Sequence, residues 1–145
     1  MTEFNLTEYH FRFPIQVRWK DLDALGHVNN AVFITYFELA RGHYMPTACP
    51  GWDWHKHMFL IGNVHVDFLK EVRLTTPHLH VHMRTKKIGT KSFNLEYALT
   101  SKKDGETVVH ATGSTVQIMF DMNSRKTIAV DDWVRNALIE FEKLS

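Results

Sequence analysis

The stretch VRWKDLDALGHVNNAVFITYFELAR, Val17–Arg41, carries most of the information about the fold of this chain. Residues 31–45 contain no proline and are apolar nearly all round. Either Asn29 or Asn30 can cap a helix that starts here, and Pro46 and Pro50 are expected to stop it. Because helices that are hydrophobic on every side are buried, the sequence predicts one long helix enclosed by the rest of the chain.

Segments of alternating apolar and polar residues surround this helix and predict an enclosing sheet. A first strand covers residues 11–19, where Pro14 indicates an edge or a bulge because proline cannot donate to a ladder. Four more strands, arranged as a meander, are expected near 64–68, 78–83, 93–99 and 106–120. Lys102–Gly105 predicts a hairpin turn, and Asp131 or Asp132 can cap a short last helix. This order predicts an α+β fold with a curled antiparallel sheet of about five strands wrapped around the helix, whose open edge needs a partner.

Composition narrows the class of protein. A chain of 145 residues is long enough for one domain with a substantial core, so a single domain over residues 1–145 is predicted. Apolar residues make up 44% and charged residues 23%, which excludes a disordered or low-complexity chain. The formal net charge of +1 disfavours a general nucleic-acid binder.

Neither a membrane span nor an export signal is expected. The sequence has no apolar run of about 18 residues, as a spanning helix requires. Its first residues lack the basic start and apolar stretch of a signal peptide, which predicts a cytoplasmic protein. The single cysteine, Cys49, can form no internal disulfide, in agreement with a reducing compartment.

The loop at residues 18–30 has the greatest density of chemically useful side chains. It places Asp21 and Asp23 beside a glycine, a histidine and two asparagines, and it leads into the predicted helix. A helix N-terminus offers unpaired N–H groups and a positive dipole end, which can polarise a carbonyl. A nearby carboxylate can attack that carbonyl or activate a water molecule. Alternatively, the aspartates form turns and the asparagines are helix caps.

The same stretch resembles the signature of hotdog-fold acyl thioesterases, and in particular the 4-hydroxybenzoyl-CoA thioesterase-like family. Its D-x-D-x-x-G-H-V-N-N core, residues 21–30, is the most specific part of the resemblance. Residues 64–72 look like the family's second strand, and residues 88–93 resemble its turn between strands three and four. The similarity covers about residues 10–130 and implies the hotdog fold, which has the order of elements described above.

This resemblance implies roles for three residues of the loop. Asp23, the second aspartate of D-x-D, would act as nucleophile or general base on a thioester. The backbone N–H of Asn30, at the first turn of the helix, would polarise the thioester carbonyl; one subgroup carries a catalytic histidine there. His27 matches a functional histidine of plant acyl–acyl-carrier-protein thioesterases, whose companion asparagine is replaced by Leu25 here.

A cluster of cationic residues follows the predicted third strand. The family places contacts to the phosphates of coenzyme A near this turn. The resemblance therefore implies that the CoA of the substrate binds at Arg84, Lys86, Lys87, Lys91 and Ser92. The alternative is an ordinary solvated turn. No other cofactor and no metal is expected.

Other candidate groups are disfavoured on physical grounds. His78, His80 and His82 would share one strand face, but alternate residues lie about 6.5–7 Å apart, too far for one metal ion unless other ligands converge. This face is expected to meet solvent or a subunit. Cys49 would lie at the C-terminal end of the helix, where the dipole disfavours a thiolate nucleophile.

Two further sets of side chains have mainly structural interpretations. Glu38 and Arg41 are three residues apart and are expected to pair on the helix, although Glu38 can instead orient the loop. An aromatic cluster after the helix can line an acyl tunnel, but packing is the more common role. Its members are Trp52, Trp54, Met58 and Phe59.

The sequence thus predicts an enzyme that hydrolyses an acyl-CoA or aroyl-CoA to the free acid and CoA. The resemblance implies a homodimer joined edge to edge, or a homotetramer of two such dimers. One alternative keeps the reaction but uses acyl-carrier protein as the carrier. A second is a non-enzymatic acyl-CoA-binding module on the same fold, since fold does not fix function. A dehydratase is disfavoured because its His-containing pattern is absent from the sequence.

Overall fold

The computed structural model of the protein describes residues 5–145. Its elements are a long helix, a sheet of long strands and a shorter C-terminal helix. The helices are α1, Asn30–Ala48, and α2, Asp132–Glu142, and the strands are β1, Phe11–Pro14; β2, Phe59–Phe68; β3, His80–Ile88; β4, Ser92–Lys103; β5, Glu106–Asp121; and β6, Lys126–Thr127. Within residues 5–145, neither α-helix is long and apolar enough to cross a membrane.

All strand pairs are antiparallel, and the long strands lie in the order β1-β3-β4-β5-β2, with the two-residue β6 beside β5. This confirms the predicted α+β class with five principal strands. The predicted four-strand meander is wrong, because only β3, β4 and β5 follow one another. Strand β2 pairs with the far side of β5, where Phe68 lies opposite Ala111. The segment 69–79 is too long for a tight hairpin and instead crosses the end of the sheet, where Val72 accepts a backbone hydrogen bond from Val28 at 2.7 Å.

The first strand is shorter than predicted. It ends at Pro14 instead of continuing to Trp19, which is 79% exposed. Beyond Ile15, which still bonds to Leu79, the chain curls into a 3-10 turn at Trp19–Asp21. The edge position that Pro14 predicted is confirmed, since β1 pairs with β3 alone.

Helix α1 continues through Pro46 to Ala48, so the predicted stop at Pro46 is wrong. A proline inside a helix leaves the carbonyl four residues earlier without its N–H donor. Here that carbonyl belongs to Gly42, and the indole Nε1 of Trp54 donates to it at 3.0 Å. The last turn therefore keeps its hydrogen bonding despite the proline.

One face of α1 packs against the concave side of the sheet. Phe33, Phe37 and Tyr44 are fully buried there, and a Cβ added at Gly113 would lie 2.8 Å from Cε2 of Phe37. The other face is open, because Ile34 and Leu39 are 41% and 48% exposed. Burial of α1 on all sides is therefore not achieved by one chain.

The two remaining local predictions are confirmed. Asp104 and Gly105 both have positive φ, 53° and 79°, as a tight hairpin turn of the mirror-image type requires. In α2, Val134 and Leu138 face the core. Asp131 is the N-cap residue, although its side chain makes no capping hydrogen bond.

Glu142 fastens α2 to the sheet. Thr85 belongs to β3 and lies past Met83, the last β3 residue that pairs with β1. Its backbone N–H instead donates to Oε2 of Glu142 at 2.6 Å. The other carboxylate oxygen, Oε1, is buried and has no hydrogen-bond partner within residues 5–145. Burial raises the pKa of Glu142 to about 7, against the lowering effect of the Thr85 N–H and of Arg84.

This carboxyl group makes stability depend on pH. Because its folded pKa lies above its ordinary value, its contribution is fully present below about pH 4.5 and is lost as pH rises through about 7. We expect the free energy of unfolding to fall by about 2–3 kcal/mol over this range from Glu142 alone. In denaturant unfolding, the free energy of unfolding of Glu142→Gln should depend less on pH than that of the native protein. Glu140→Gln, on the exposed face of α2, is the matched control and should keep the native profile; equal slopes for all three proteins would contradict the assignment.

Candidate active site

Asp21 anchors the loop that precedes α1. Its side chain is 2% exposed. It accepts hydrogen bonds from the Arg18 backbone at 2.9 Å, from the Arg18 guanidinium at 2.9 and 3.2 Å, and from the Tyr36 hydroxyl at 2.8 Å. Burial alone would raise the pKa of Asp21, but these hydrogen bonds outweigh it and hold the pKa below its ordinary value. The first aspartate of the D-x-D pair is therefore a structural anchor. The residue pattern of the loop by itself did not separate the two aspartates, whereas the family resemblance selected Asp23.

Asp23 lies exposed at the tip of this loop. Its Oδ1 accepts hydrogen bonds from the backbone N–H groups of Leu25 at 2.9 Å and His27 at 3.2 Å. Gly26, with φ of 80°, lets the turn close so that the Asp23 N–H reaches the His27 carbonyl at 2.8 Å. The second oxygen, Oδ2, accepts no hydrogen bond from residues 5–145. The carboxylate is thus held in orientation by one oxygen and has the other available.

The N-terminus of α1 lies directly after this loop. Asn29 is the cap residue, and its Oδ1 accepts from the Ala31 N–H at 2.9 Å. The Asn29 N–H donates to the Asp21 carbonyl at 2.9 Å, which fixes the helix start to the anchored loop. The N–H of Asn30, the first helical residue, has no acceptor within residues 5–145. A donor at the positive end of a helix dipole is suited to a carbonyl oxygen that gains negative charge.

His27 faces an ion pair that sequence reasoning missed. Its Nε2 lies 2.6 Å from Oε2 of Glu71 and 3.3 Å from Nη2 of Arg73, and Arg73 Nε donates to Glu71 Oε1 at 3.0 Å. A backbone bridge between His27 and Arg73 joins the two segments. No local signal identified Glu71, because the contact exists only once the segment after β2 crosses the end of the sheet.

A cleft of about 250 Å³ brings the three loop candidates together. Asp23, His27 and Asn30 line it from the loop side. The other walls come from the start of α1 and the end of β2: Val28, Phe33, Phe68, Leu69, Lys70 and Glu71. The cleft therefore combines a carboxylate, a helix-end N–H and apolar surface.

A larger groove of about 850 Å³ runs along the open face of α1. Trp54 and Phe59, two of the predicted tunnel residues, contribute to its lining, whereas Trp52 is buried in the core. Arg41 and Glu38 also reach the groove, with 4.0 Å between their charged groups, and Arg41 donates to the Tyr97 hydroxyl at 3.1 Å. The expected helix pair is present at the limit of contact distance.

The cationic cluster predicted to hold CoA lies at the other end of the sheet. Ser92 is opposite Ile118, which is opposite Leu60, whereas the Asp23 cleft lies at the Phe68 end of β2. Within one chain the structure therefore does not bring the cluster and the cleft together.

The side chains of that cluster differ in whether other protein groups already bind them. Arg84 bonds to Glu8 and, at 2.7 Å, to Glu96, and it stacks over the Tyr9 ring at 4.7 Å. It is thus already occupied by protein groups. The exposed cations are Lys86, Lys87 and Lys91, and the side chain of Ser92 is half-buried.

The disfavoured candidates have clear structural surroundings. Cys49 is buried at the end of α1, and burial raises its thiol pKa to about 12, far from that of a reactive thiolate. His78 precedes β3 with φ of 52°, so it is not part of the strand as predicted, although it lines the same cavity as His80 and His82. Among the described residues 5–145, no three His, Cys, Asp or Glu side chains are grouped as a metal site requires.

A curled antiparallel sheet packed on a long helix, with the D-x-D loop at the helix N-terminus, defines the hotdog class of thioesterase-like proteins. A family model described as the thioesterase-like superfamily matches residues 17–138, and the chain belongs to that superfamily. The predicted hotdog fold and thioesterase relationship are thereby confirmed.

Individual relatives agree with this assignment. A Thermus thermophilus thioesterase complexed with coenzyme A and Zn is 31% identical, with a TM-score of 0.82, over 95% of this chain and 98% of that one. The long-chain acyl-CoA thioesterase FadM of Escherichia coli is 26% identical over 89% of this chain and 97% of its own length. A 4-hydroxybenzoyl CoA thioesterase complexed with 4-hydroxybenzoyl CoA shares the fold, with a TM-score of 0.79 at 12% identity, over 88% of this chain and 97% of that one.

Proposed function

We propose that this protein hydrolyses an acyl-CoA or aroyl-CoA thioester to the free acid and coenzyme A. One observation carries the proposal: Asp23 and Asn30 line the same cleft, and within the described part of the chain the Oδ2 of Asp23 and the N–H of Asn30 have no hydrogen-bond partner. A thioester carbonyl placed between them has an electrophilic carbon near the carboxylate and its oxygen near the helix end. The acyl-CoA thioesterase among the relatives supports the substrate class.

The roles of the loop residues follow from this placement. The Asn30 N–H and the α1 dipole stabilise negative charge on the carbonyl oxygen. Asp23 either attacks the carbonyl carbon, or takes a proton from a water molecule whose oxygen attacks. In each route a C–O bond forms, the C–S bond breaks, and the CoA thiolate leaves and takes up a proton. In the first route water then hydrolyses the acyl–Asp23 anhydride. His27, held by Glu71, lines the cleft as a third, positioning residue.

Dimerisation through β2 would complete the site. Strand β2 is an edge strand with partly exposed apolar side chains: Leu60, Val64 and Phe68 are each 43–45% exposed. Antiparallel pairing of two β2 edges places the Leu60 end of one subunit beside the Phe68 end of the other. The cationic turn at residues 86–92 of one subunit then lies at the same end as the Asp23 cleft of its partner. This arrangement lets Lys86, Lys87, Lys91, Ser92 and, if its ion pairs open, Arg84 reach the phosphates of CoA.

Thiol release from a panel of acyl-CoA and aroyl-CoA esters tests the proposed reaction. We expect turnover of at least one class of CoA ester, and the preferred ester names the acyl group. The same acyl groups on acyl-carrier protein, offered alone and in competition, separate the two carriers. Saturable binding of CoA esters without any thiol release would instead support the non-enzymatic alternative.

The mass in solution tests the β2 interface. We expect twice the 17.0 kDa of one chain, or four times if dimers associate. Val64→Lys, near the middle of β2, should shift the mass toward one chain, because a two-fold axis there brings like charges together. Light scattering after size exclusion measures this directly. Met122→Lys adds the same charge at an exposed apolar position outside β2; loss of the dimer in both variants, or in neither, would contradict the interface.

A further inference from the structure

The sheet carries a second large cavity on the face opposite α1. In β3, Val81 and Met83 face the core, so the alternating His80 and His82 lie on the outer face. There the segment before β1 lies beside them and forms one wall of a cavity of about 680 Å³ that is open to solvent. The lining residues are Leu6, Tyr9, His10, Phe11, Arg12, His78, His80, His82, Thr100, Lys102 and Thr107. The cavity shares no lining residue with the Asp23 cleft.

The charges around this cavity have one sign. Arg12 and Lys102 supply fixed positive charges, and His10, His78, His80 and His82 can add more. Among residues 5–145, no carboxylate lines it. Two carboxylates on neighbouring elements, Glu8 and Glu96, are both bonded to Arg84. A cavity of this kind attracts an anion, and no carboxylate among its described lining residues neutralises its positive charge.

His82 lies at the centre of this arrangement. It is directly opposite Arg12 in the β1–β3 register, and its Nε2 lies 2.9 Å from the Thr100 hydroxyl. The His80 and Tyr9 rings each have centroids 6.3 Å from the His82 ring. Burial, His80 and Arg12 together lower the pKa of His82 to about 4, so its ring is neutral near pH 7 in the free protein. A bound anion would remove the repulsion and favour the protonated ring.

We propose that this outer-face cavity binds a phosphorylated small molecule, with its phosphate held by Arg12 and His82 and with Lys102 adding positive charge farther along the cavity. The guanidinium of Arg12 matches the geometry of a phosphate, and Thr100 supplies a hydroxyl. Tyr9 and Leu6 give the cavity an apolar side that suits an organic moiety such as a nucleoside. The site is separate from the proposed catalytic cleft and does not depend on thioesterase activity.

Calorimetric titration of the full-length protein with ADP and with pyrophosphate tests this site. We expect saturable binding, and Arg12→Gln should weaken it at least about tenfold, since it removes one charge-assisted contact. Arg125→Gln removes the same charge from an exposed turn outside the cavity and should bind like the native protein. Tighter binding of ADP than of pyrophosphate would indicate a nucleotide, and equal binding would indicate recognition of the phosphate groups alone.

Sulfate tests the role of the imidazoles, because it stays doubly charged between pH 6 and pH 8. If sulfate binding protonates His82, sulfate should bind at least about fivefold more tightly at pH 6 than at pH 8. The ring C–H signal of His82 in NMR spectra, assigned by its loss in His82→Gln, should change chemical shift as sulfate is added. The proposal is overturned if neither ADP nor pyrophosphate saturates, or if Arg12→Gln binds as tightly as the native protein. Equal sulfate affinity at the two pH values overturns the contact with His82.

Discussion

Asp23→Asn should lower kcat for thioester hydrolysis at least about 10²-fold while leaving the fold intact. The amide keeps an Oδ1 that can still accept hydrogen bonds from Leu25 and His27, so the turn is preserved. It loses the negative charge and the basicity that either attack or proton abstraction requires. The comparison needs kcat and KM for the best ester of the panel, with circular dichroism and thermal unfolding as checks of the fold.

Asp121→Asn is the matched control for this substitution. Asp121 also holds a turn through its carboxylate, which accepts from the Asn123 and Ser124 N–H groups, but it lies outside the cleft. We expect it to retain native kcat. Full activity of Asp23→Asn would remove Asp23 from the mechanism and leave the family assignment unaffected. A rise in KM with unchanged kcat would also contradict the role, because the proposed interaction acts on the reacting carbonyl.

Asp21→Ala should lower the free energy of unfolding by about 3 kcal/mol. The substitution leaves the buried Tyr36 hydroxyl and the Arg18 N–H without their acceptor, and it frees the loop that leads to Asn30. Because the pKa of Asp21 is lowered in the folded protein, its contribution is present above its unfolded pKa and is lost as pH falls through the folded value. Denaturant unfolding near pH 7 and at low pH measures both effects.

Two variants make this result specific. Tyr36→Phe should cost about 1 kcal/mol, and in the Asp21→Ala background it should cost little, since the hydrogen bond is already absent. Asp131→Ala, an exposed aspartate whose side chain makes no capping bond, should change stability by about 0.5 kcal/mol or less. Additive effects of the Asp21 and Tyr36 substitutions would show that the hydrogen bond between them does not contribute.

Local sequence patterns predicted the elements of the fold but not how they are joined. The apolar run from Ala31 gave α1, and alternation gave the approximate strands, because both periodicities depend on neighbouring residues. The position of β2 beside β5 was missed, since alternation does not specify a partner. The continuation of α1 through Pro46 was missed for a related reason: its missing donor is replaced by Trp54, which belongs to the segment after the helix.

The candidate site likewise has features that the sequence predicted and features that only the tertiary structure decided. By itself the sequence determined that a D-x-D loop precedes a buried helix, and its resemblance indicated the family and Asp23, because those residues are contiguous in the chain. Only the tertiary structure decided that Asp21 is the anchor, that Glu71 faces His27, and that the cationic turn lies away from Asp23 in one chain. Those facts depend on burial and on contacts between distant segments, which exist only after the sheet has closed around one face of α1.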